Sequence, residues 1–517
     1  MTTGLSDSGP QVSSGSPVPV RWVLFGLAAL GILMSSIDQT IVAVAIPALS
    51  VSLDTSLNWV SWTITAYQLV QIVAMPVAGR MSDSLGRKRL FLFCVGCFTV
   101  GSLLSGLAPN IGFLIVFRAI QAIGAGGLMP SAVGIVSDQF SRKNRNQVIG
   151  LFTSIFPIGS LIGPNVGGWI LQHWSWREMF FINLPIGLVI LIGIQLLLHE
   201  KRKPAPPQRL DVAGLALFVG GMVTIMYAMT SIGNSPAILQ TPLPWVMLLA
   251  GAVLFFLFVR QERRVEQPIL DVRLMARHPF LPANIYNFVW GACVLGFFTF
   301  VPYYAVVQYN LSAVQSGLIL TPRSVTGIIT AFMASIFLIR LGYRLPMVLG
   351  MEIITVSLVV LSFGLNQVFI GPLELDGFVL TALIVGISGI GTGMVAPASN
   401  NASIELLPEK AAAISGLRGM FRMTGGIMGI SAVVLALSFF EDKAAGMRMI
   451  FITIAVAFQL TIPLALMIPD IARERHQRRD RAGRETGLTG QPEASNPGGL
   501  NGSSATTPVQ KEDSPSG

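Results

Sequence analysis

The chain has 517 residues, of which 52% are hydrophobic and 11% are charged, whereas an ordinary soluble domain carries about 25% charged residues. This composition excludes an ordinary soluble enzyme or binding domain and favours a protein that lies within a bilayer. The 3 cysteines and 4 histidines favour neither a disulfide framework nor a metal cluster. The net charge of +9 does not indicate a nucleic-acid partner, because the basic residues alternate with apolar runs. We therefore expect no metal, no cofactor and no nucleic acid.

At the N-terminus, residues 1–20 are rich in Ser, Gly and Pro and contain no Lys or Arg. They are predicted to form a disordered tail and not a signal peptide. The apolar runs that follow are long enough to cross hydrocarbon, and they predict an all-α integral membrane protein with about fourteen transmembrane helices. The predicted spans are 22–49, 58–78, 90–108, 111–136, 148–172, 178–198, 210–231, 243–260, 279–308, 314–339, 346–366, 377–400, 414–439 and 446–469.

The distribution of Lys and Arg along this map predicts the orientation. Most of the 34 basic residues fall in loops on one side, and only Arg177, Lys443 and Arg448 fall in loops on the other. Cytoplasmic loops are enriched in Lys and Arg. The chain is therefore predicted to be a multi-pass protein of the inner, or cytoplasmic, membrane with both termini in the cytoplasm.

An internal repeat divides the chain. Residues 124–132 in the fourth span read Gly-Ala-Gly-Gly-Leu-Met-Pro-Ser-Ala, and residues 391–399 in the twelfth read Gly-Thr-Gly-Met-Val-Ala-Pro-Ala-Ser. Such an echo predicts two parallel six-helix halves. The predicted domains are a cytoplasmic tail, an N-terminal bundle, a linker with two extra central helices, a C-terminal bundle and a second disordered tail, at 1–20, 21–200, 201–277, 278–469 and 470–517.

Asp38 and Arg118 are the main functional candidates, because each is a charge placed deep in a predicted span. An aspartate at the centre of a membrane helix costs about 2.5–3.5 kcal/mol on insertion scales, so it needs a wet cavity or a partner. We expect the two to pair and the carboxyl group to bind and release a proton. The alternatives are an acid that is merely neutralised by packing and an arginine that snorkels to the surface.

The segment between the second and third spans reads Gly79-Arg-Met-Ser-Asp83-Ser-Leu-Gly86-Arg87-Lys88-Arg89. The glycines permit a tight cytoplasmic turn, Asp83 is suited to cap a helix or pair with a base, and Arg87 is suited to bridge helices. We predict a cytoplasmic gate formed by Gly79, Asp83, Gly86, Arg87 and Lys88. The alternative is an ordinary basic loop.

The fifth span contains Gly159-Ser-Leu-Ile-Gly163-Pro164-Asn-Val-Gly167-Gly168. Small residues four apart allow two helices to approach closely, and Pro164 removes a backbone hydrogen bond. This segment is predicted to pack tightly and to bend.

These segments resemble the major facilitator superfamily, and within it the fourteen-span drug:proton antiporter family of the EmrB/QacA type. The segment at 79–89 resembles motif A, Arg118-x-x-Gln121-x-x-Gly124 resembles motif B, and the fifth-span run resembles antiporter motif C. Trp176–Gly187 and Ile37–Val42 match as well. The resemblance implies a major facilitator fold, proton coupling through Asp38 and Arg118, a cytoplasmic latch and a helix interface that discourages leak. The second-half counterpart of motif A, residues 340–344, has no aspartate, so we expect only the first latch to be strong.

The predicted function is proton-coupled export of hydrophobic or amphipathic small molecules by alternating access. The chain has no G-x-x-x-x-G-K-[ST] phosphate loop, so an ion gradient and not ATP is expected to supply the work. The alternative is a proton-coupled carrier of a specific metabolite or nutrient, and an enzyme is not expected. The partners are the bilayer, protons and a lipophilic substrate, and the resemblance adds a periplasmic adaptor and an outer-membrane channel as partners of some members. Candidate substrate contacts are Gln39, Gln71, Asn287 and Trp290, each equally well explained by helix packing.

Overall fold

The structure is a computed structural model that describes residues 18–140, 155–199, 211–265, 268, 279–370, 373–406 and 411–470. Most of the two predicted tails and the N-terminal part of the linker lie outside these residues. The described residues all belong to one compact unit, which spans Met1–Arg473.

The first part of the chain forms a series of long helices, with one short helical turn at the start of the sixth predicted span. They are α1 (Val18–Ser52), α2 (Leu57–Leu85), α3 (Arg87–Gly106), α4 (Ile111–Gln139), α5 (Ile155–His173), α6 (Glu178–Phe181), α7 (Asn183–Leu197), α8 (Val212–Asn234) and α9 (Leu243–Glu262), with a 3-10 turn at Pro236–Gln240 between the last two.

The second part repeats this arrangement and adds a hairpin. Its elements are α10 (Phe280–Tyr309), α11 (Ala313–Leu318), α12 (Leu320–Leu341), α13 (Arg344–Ser362), β1 (Gln367–Ile370), β2 (Leu373–Asp376), α14 (Gly377–Glu405), α15 (Ala411–Ser438) and α16 (Lys443–Met467). The strands pair antiparallel, with Gln367 opposite Asp376. The sequence prediction assigned no regular element to residues 367–376.

Thirteen helical stretches of the described residues are long and apolar enough to cross a membrane. α5 is not among them, because its glycines, Pro164 and Asn165 lower its mean hydropathy. Each predicted span nevertheless coincides with a helix, and the differences lie at the ends. α2 in particular continues through Leu85, well past the predicted end at residue 78.

The packing of the helices follows the internal repeat. In the first half α1 packs on α5, α4 packs on α2 and α3, and α3 packs on α7. In the second half α10 packs on α15, α14 packs on α12 and α13, and α13 packs on α16. The same positions therefore meet in both halves, as expected when two similar sequences bury similar faces.

The two halves contact each other through a few helices. α5 packs on α11 and α12, α2 packs on α15, and α1 packs on α10. α8 and α9 pack on each other, and α8 also packs on α2 and α15. The indole of Trp62 in α2 donates a hydrogen bond to Thr230 of α8 (2.7 Å).

Glycines bring the first and fifth helices of each half into close contact. A Cβ at Gly163 of α5 would meet Thr40 of α1, and a Cβ at Gly425 of α15 would meet the carbonyl oxygen of Phe288 in α10. Gly429, one turn further along α15, lies equally close to the carbonyl of Ala292. Without a hydrophobic effect between helices inside lipid, close packing of this kind holds the helices together.

We expect the α10–α15 contact to depend on these glycines. Gly429→Ala forces a methyl group against a backbone carbonyl, and overpacking of this kind costs about 1–3 kcal/mol. Gly419→Ala on the same helix is the matched control, because a Cβ there meets no atom within 4 Å and alanine favours the helix. Thermal unfolding of the purified protein in detergent should show a lower Tm for Gly429→Ala and no decrease for Gly419→Ala. Equal Tm values for the two variants would contradict the packing argument.

Candidate functional site

Asp38 of α1 and Arg118 of α4 form an ion pair in the interior of the first half. Arg118 Nη1 lies 2.5 Å from Asp38 Oδ2, and the two residues are each only 1% exposed. The structure thus brings together the two charges that the sequence places deep in separate spans. The alternative of a snorkelling Arg118 does not match this geometry, whereas an acid that is neutralised by a packing partner is consistent with it.

Two amides complete the hydrogen bonding of the Asp38 carboxylate. Gln121 Nε2 donates to Oδ1 (2.8 Å), and Asn183 Nδ2 donates to the same oxygen (3.2 Å). Gln121 lies one turn after Arg118 on α4 and also accepts from Arg118 Nη1 (2.7 Å). Asn183 begins α7 and donates as well to Ser102 Oγ of α3 (2.9 Å). The carboxylate is therefore held by α4 and α7 at once.

The Arg118 guanidinium is enclosed on its other sides. Its Nε donates to the carbonyl of Thr63 in α2 (3.2 Å), and its Cζ lies 4.0 Å from the centroid of the Tyr67 ring. Phe180 lies further away, at 5.6 Å. Arg118 thereby fastens α2 to the site, and the ion pair lies within protein and not in a water-filled cavity.

This arrangement links protonation to helix position. A proton on Asp38 removes the counter-charge of Arg118, and a buried charge left without its partner costs about 3–5 kcal/mol. Movement of α1 against α4, or access of water, relieves that cost. The geometry is thus suited to convert binding of one proton into a change of conformation.

The fifth-span glycines form two different contacts. Gly159, Gly163 and Gly167 face α1, where added Cβ atoms would meet Ser36, Thr40 and Ile41. Gly168 and the carbonyl of Pro164 face the second half: a Cβ at Gly168 would lie 2.6 Å from the carbonyl oxygen of Ala313, and a Cβ at Gly317 would meet the Pro164 carbonyl. Asn165 also accepts a hydrogen bond from Thr321 (2.8 Å). The segment joins the two halves as well as α1.

The predicted cytoplasmic gate is built differently from the sequence expectation. The turn is confined to Gly86, whose φ of 92° suits glycine. Gly79 lies inside α2, with open space around its Cα, so the expectation of a turn there was wrong, because the polar end of the span stays helical. Arg87 Nη1 donates to the carbonyl of Gly134 in α4. Lys88 Nζ donates to the carbonyl of Gln195 in α7 (2.8 Å). The Asp83 side chain lies outside what the structure describes.

The corresponding turn in the second half binds an acid that comes from a distant segment. Gly342 has a φ of 76°, and the next residue, Tyr343, donates its backbone N–H to Asp470 Oδ1 (2.8 Å). Arg344 Nε donates to the carbonyl of Ile468 (2.8 Å), just after α16. Residues 340–344 contain no aspartate, as the sequence shows, and Asp470 contributes a carboxylate to this turn from beyond the sixth helix of the half; the expectation that the first latch is the stronger one stays a prediction.

The candidate substrate contacts fall into two groups. In the first half, Gln39 Nε2 donates to Gln71 Oε1 (3.3 Å) between α1 and α2. In the second half, Asn287 Oδ1 accepts from Ser399 Oγ (3.1 Å) and lies 3.5 Å from Arg418 Nη1. Trp290 lies one turn further along α10, beside Arg422. The structure brings Asn287 and Trp290 together with two arginines that the sequence argument did not use.

The sequence argument missed Asn183 as a partner of Asp38. Its segment was noted as a family match, and a polar residue that opens an apolar span was the available signal. Arg418 and Arg422 were recognised as basic residues within a span, without a role. Asp470 was assigned to the tail.

The chain is similar to known membrane transporters. The family model described as Major Facilitator Superfamily matches residues 28–430. Among relatives, the multidrug transporter protein MdtP of Bacillus subtilis is 31% identical over 415 residues, which cover 80% of this chain and 74% of that protein. Multidrug resistance protein 3 of Bacillus subtilis is 32% identical over 410 residues, 78% of this chain and 75% of that protein. The riboflavin transporter RibZ of Clostridioides difficile is 29% identical over 412 residues, 78% of this chain and 84% of that protein.

Among solved structures, a bacterial homolog of the human lysosomal transporter Spinster, in an inward-facing and occupied conformation, superposes with a TM-score of 0.61. It covers 88% of this chain and 97% of its own, at 14% identity, so it bears on the fold alone. The matched profile, the relatives and the repeated helix packing agree, and we conclude that the chain belongs to the Major Facilitator Superfamily, a family of membrane transporters.

Proposed function

We propose that the chain is a proton-coupled antiporter that exports hydrophobic or amphipathic small molecules from the cytoplasm. The observation that carries the proposal is the enclosed ion pair between Asp38 and Arg118. Relatives named as multidrug transporter and resistance proteins support export of foreign molecules. The motif C segment of α5 packs on α1 and on the second half. This packing supports antiport, because it would close the first half around Asp38.

The proposed cycle begins with the ionised pair. A proton from outside neutralises Asp38, the bonds from Arg118, Gln121 and Asn183 weaken, and α1 shifts relative to α4 and α7. Release of the proton to the cytoplasm restores the pair. One proton that crosses about 100 mV and one pH unit releases roughly 2.3 and 1.4 kcal/mol, which sustains a several-hundredfold gradient of the cargo.

The proposed architecture is fourteen spans in the EmrB/QacA arrangement, with six-helix bundles at 21–200 and 278–469 and two extra helices in the linker 201–277. α5 counts as a span because it occupies the position of α15 in the repeat. Both termini are proposed to be cytoplasmic. In that orientation the contacts of Pro164 and Gly168 with the second half lie towards the outer face.

A second candidate function is a carrier of one specific metabolite. The similarity to the riboflavin transporter RibZ favours it. Deletion of the protein distinguishes the two: the export proposal expects loss of tolerance to a panel of lipophilic toxins, and the carrier expects a growth or uptake defect without such a loss. For export in cells with two membranes, we propose a periplasmic adaptor and an outer-membrane channel as further partners.

Substitution of Asp38 tests the coupling. Asp38→Asn keeps the size of the side chain but removes its charge, its titration and one of its two acceptor oxygens, so proton-driven export should fall at least about tenfold. The measurement uses inverted membrane vesicles across which a proton gradient is established, and proton-driven export is read as substrate-dependent collapse of that gradient. Glu352→Gln is the matched control, since Glu352 is a membrane-helix acid bonded to the neutral amide of Gln459 (2.7 Å), and it should retain export. Unchanged export by Asp38→Asn would refute the proposed coupling.

Substitution of Gly163 tests the seal between α1 and α5. In Gly163→Ala the new methyl group meets Thr40 and the carbonyl of Ile37, directly beside Asp38, so we expect the helices to separate and the proton gradient to decay faster without substrate. Gly26→Ala on α1 is the control, because a Cβ there meets no atom within 4 Å. Decay at the rate of the unaltered protein, with correctly inserted Gly163→Ala, would count against a sealing role.

A further inference from the structure

The second half carries three arginines that, unlike Arg118, have no acidic partner among the residues that the structure describes. Arg323 on α12 and Arg418 and Arg422 on α15 are half-buried, and each has a buried Nε without a hydrogen-bond partner among the residues that the structure describes. Within those residues no ion pair joins any of the three to a carboxylate. An unpaired charge inside a membrane protein is costly and typically marks a functional site.

Arg418 and Arg422 form a pair of like charges. They are four residues apart, so they lie one turn apart on the same face of α15, where like charges repel each other. Arg418 faces Asn287 (Nη1 to Oδ1, 3.5 Å), and Arg422 Cζ lies 5.6 Å from the centroid of the Trp290 ring. The pair is therefore directed at one stretch of α10, where a ligand would find two positive charges beside an aromatic surface.

The neighbouring polar groups of α10 add unused hydrogen-bond donors. Trp290 Nε1 and Asn284 Nδ2 are buried without a partner among the described residues, and so is the hydroxyl of Tyr286, which can donate as well as accept. Asn287, the acceptor in this group, is already bonded to Ser399. The α10–α15 cluster, defined as Asn284, Tyr286, Trp290, Arg418 and Arg422, thus has a surplus of positive charge and of unused donors. A ligand that satisfies it must bring negative charge and acceptor oxygens.

We propose that the α10–α15 cluster binds the anionic group of the exported molecule, which makes the preferred cargo an amphipathic organic anion such as an aromatic carboxylate or sulfonate. The oxyanion accepts from Arg418 and Arg422, and the apolar body of the molecule packs against the Trp290 ring. A cationic cargo would meet two like charges at this site. This inference rests on the proposed export function and adds its substrate class.

Equilibrium binding to the full chain in detergent tests the charge preference. Three probes share one aromatic body: naphthoate, its neutral amide naphthamide, and naphthyl-trimethylammonium. We expect naphthoate to bind about tenfold or more tightly than either analogue, and its binding to weaken as salt is added. Equal affinity for the three, a preference for the cation, or no detectable naphthoate binding would overturn the proposal.

Substitutions assign the preference to the cluster. The double variant Arg418→Gln with Arg422→Gln should lose naphthoate affinity by about tenfold or more, and Arg422→Lys should retain part of it because the charge remains. Arg177→Gln is the control, since Arg177 lies at the start of α6 and donates to the carbonyl of Ala108. An unaltered thermal unfolding profile reports that the double variant is folded. Unchanged naphthoate affinity in a folded double variant would refute the site.

The binding measurement separates this inference from the export proposal. Equilibrium binding of naphthoate needs no proton movement, so its outcome is measured independently of export. If the protein collapses proton gradients only with cationic substrates, the anion site fails and export stands. If it binds naphthoate through the arginines but moves no protons, proton-coupled export fails and the anion site stands.

Discussion

A salt bridge buried inside a membrane protein is the constraint on which the first half of this chain depends. Asp38 and Arg118 each carry a charge that the bilayer disfavours, so neither is tolerated without the other. Their pairing fixes α1 against α4, and the amide of Asn183 adds α7 to the same point. The glycines of α5 then allow that helix to close over α1. Proton coupling, as proposed, uses an interaction that the fold already requires.

The second half shares the packing of the first but not its charge balance. The close contact of α1 with α5 recurs between α10 and α15, and the turn at Gly86 recurs at Gly342, where an acid from another segment accepts a hydrogen bond. Arg418 and Arg422, by contrast, have no such acid among the residues described. The two similar halves are thus suited to different tasks. The first holds a charge pair that protonation of Asp38 would break, and the second presents positive charges that an anionic ligand would neutralise.

The sequence predicted most of the helices, because a run of about 20 apolar residues is long enough to cross hydrocarbon and longer than a soluble core requires. Asp38 and Arg118 could also be identified from the sequence, since charges deep within spans are rare. The roles of Asn183 and Asp470 and the hairpin at 367–376 could not be identified, for a common reason. Their roles depend on contacts between distant segments, and a single polar residue near a helix end looks the same in sequence whether it faces water or a buried partner. The turn expected at Gly79 does not form, because glycine permits a turn without requiring one and α2 continues through Leu85.

The position of α8 makes the two flanks of the molecule unlike. It packs on both α2 and α15, and Met222 and Met226 of α8 fill a cluster with Leu69 of α2 and Ile427 of α15. A molecule dissolved in a membrane leaflet therefore meets α8 on that flank before it can reach the contact between α2 and α15.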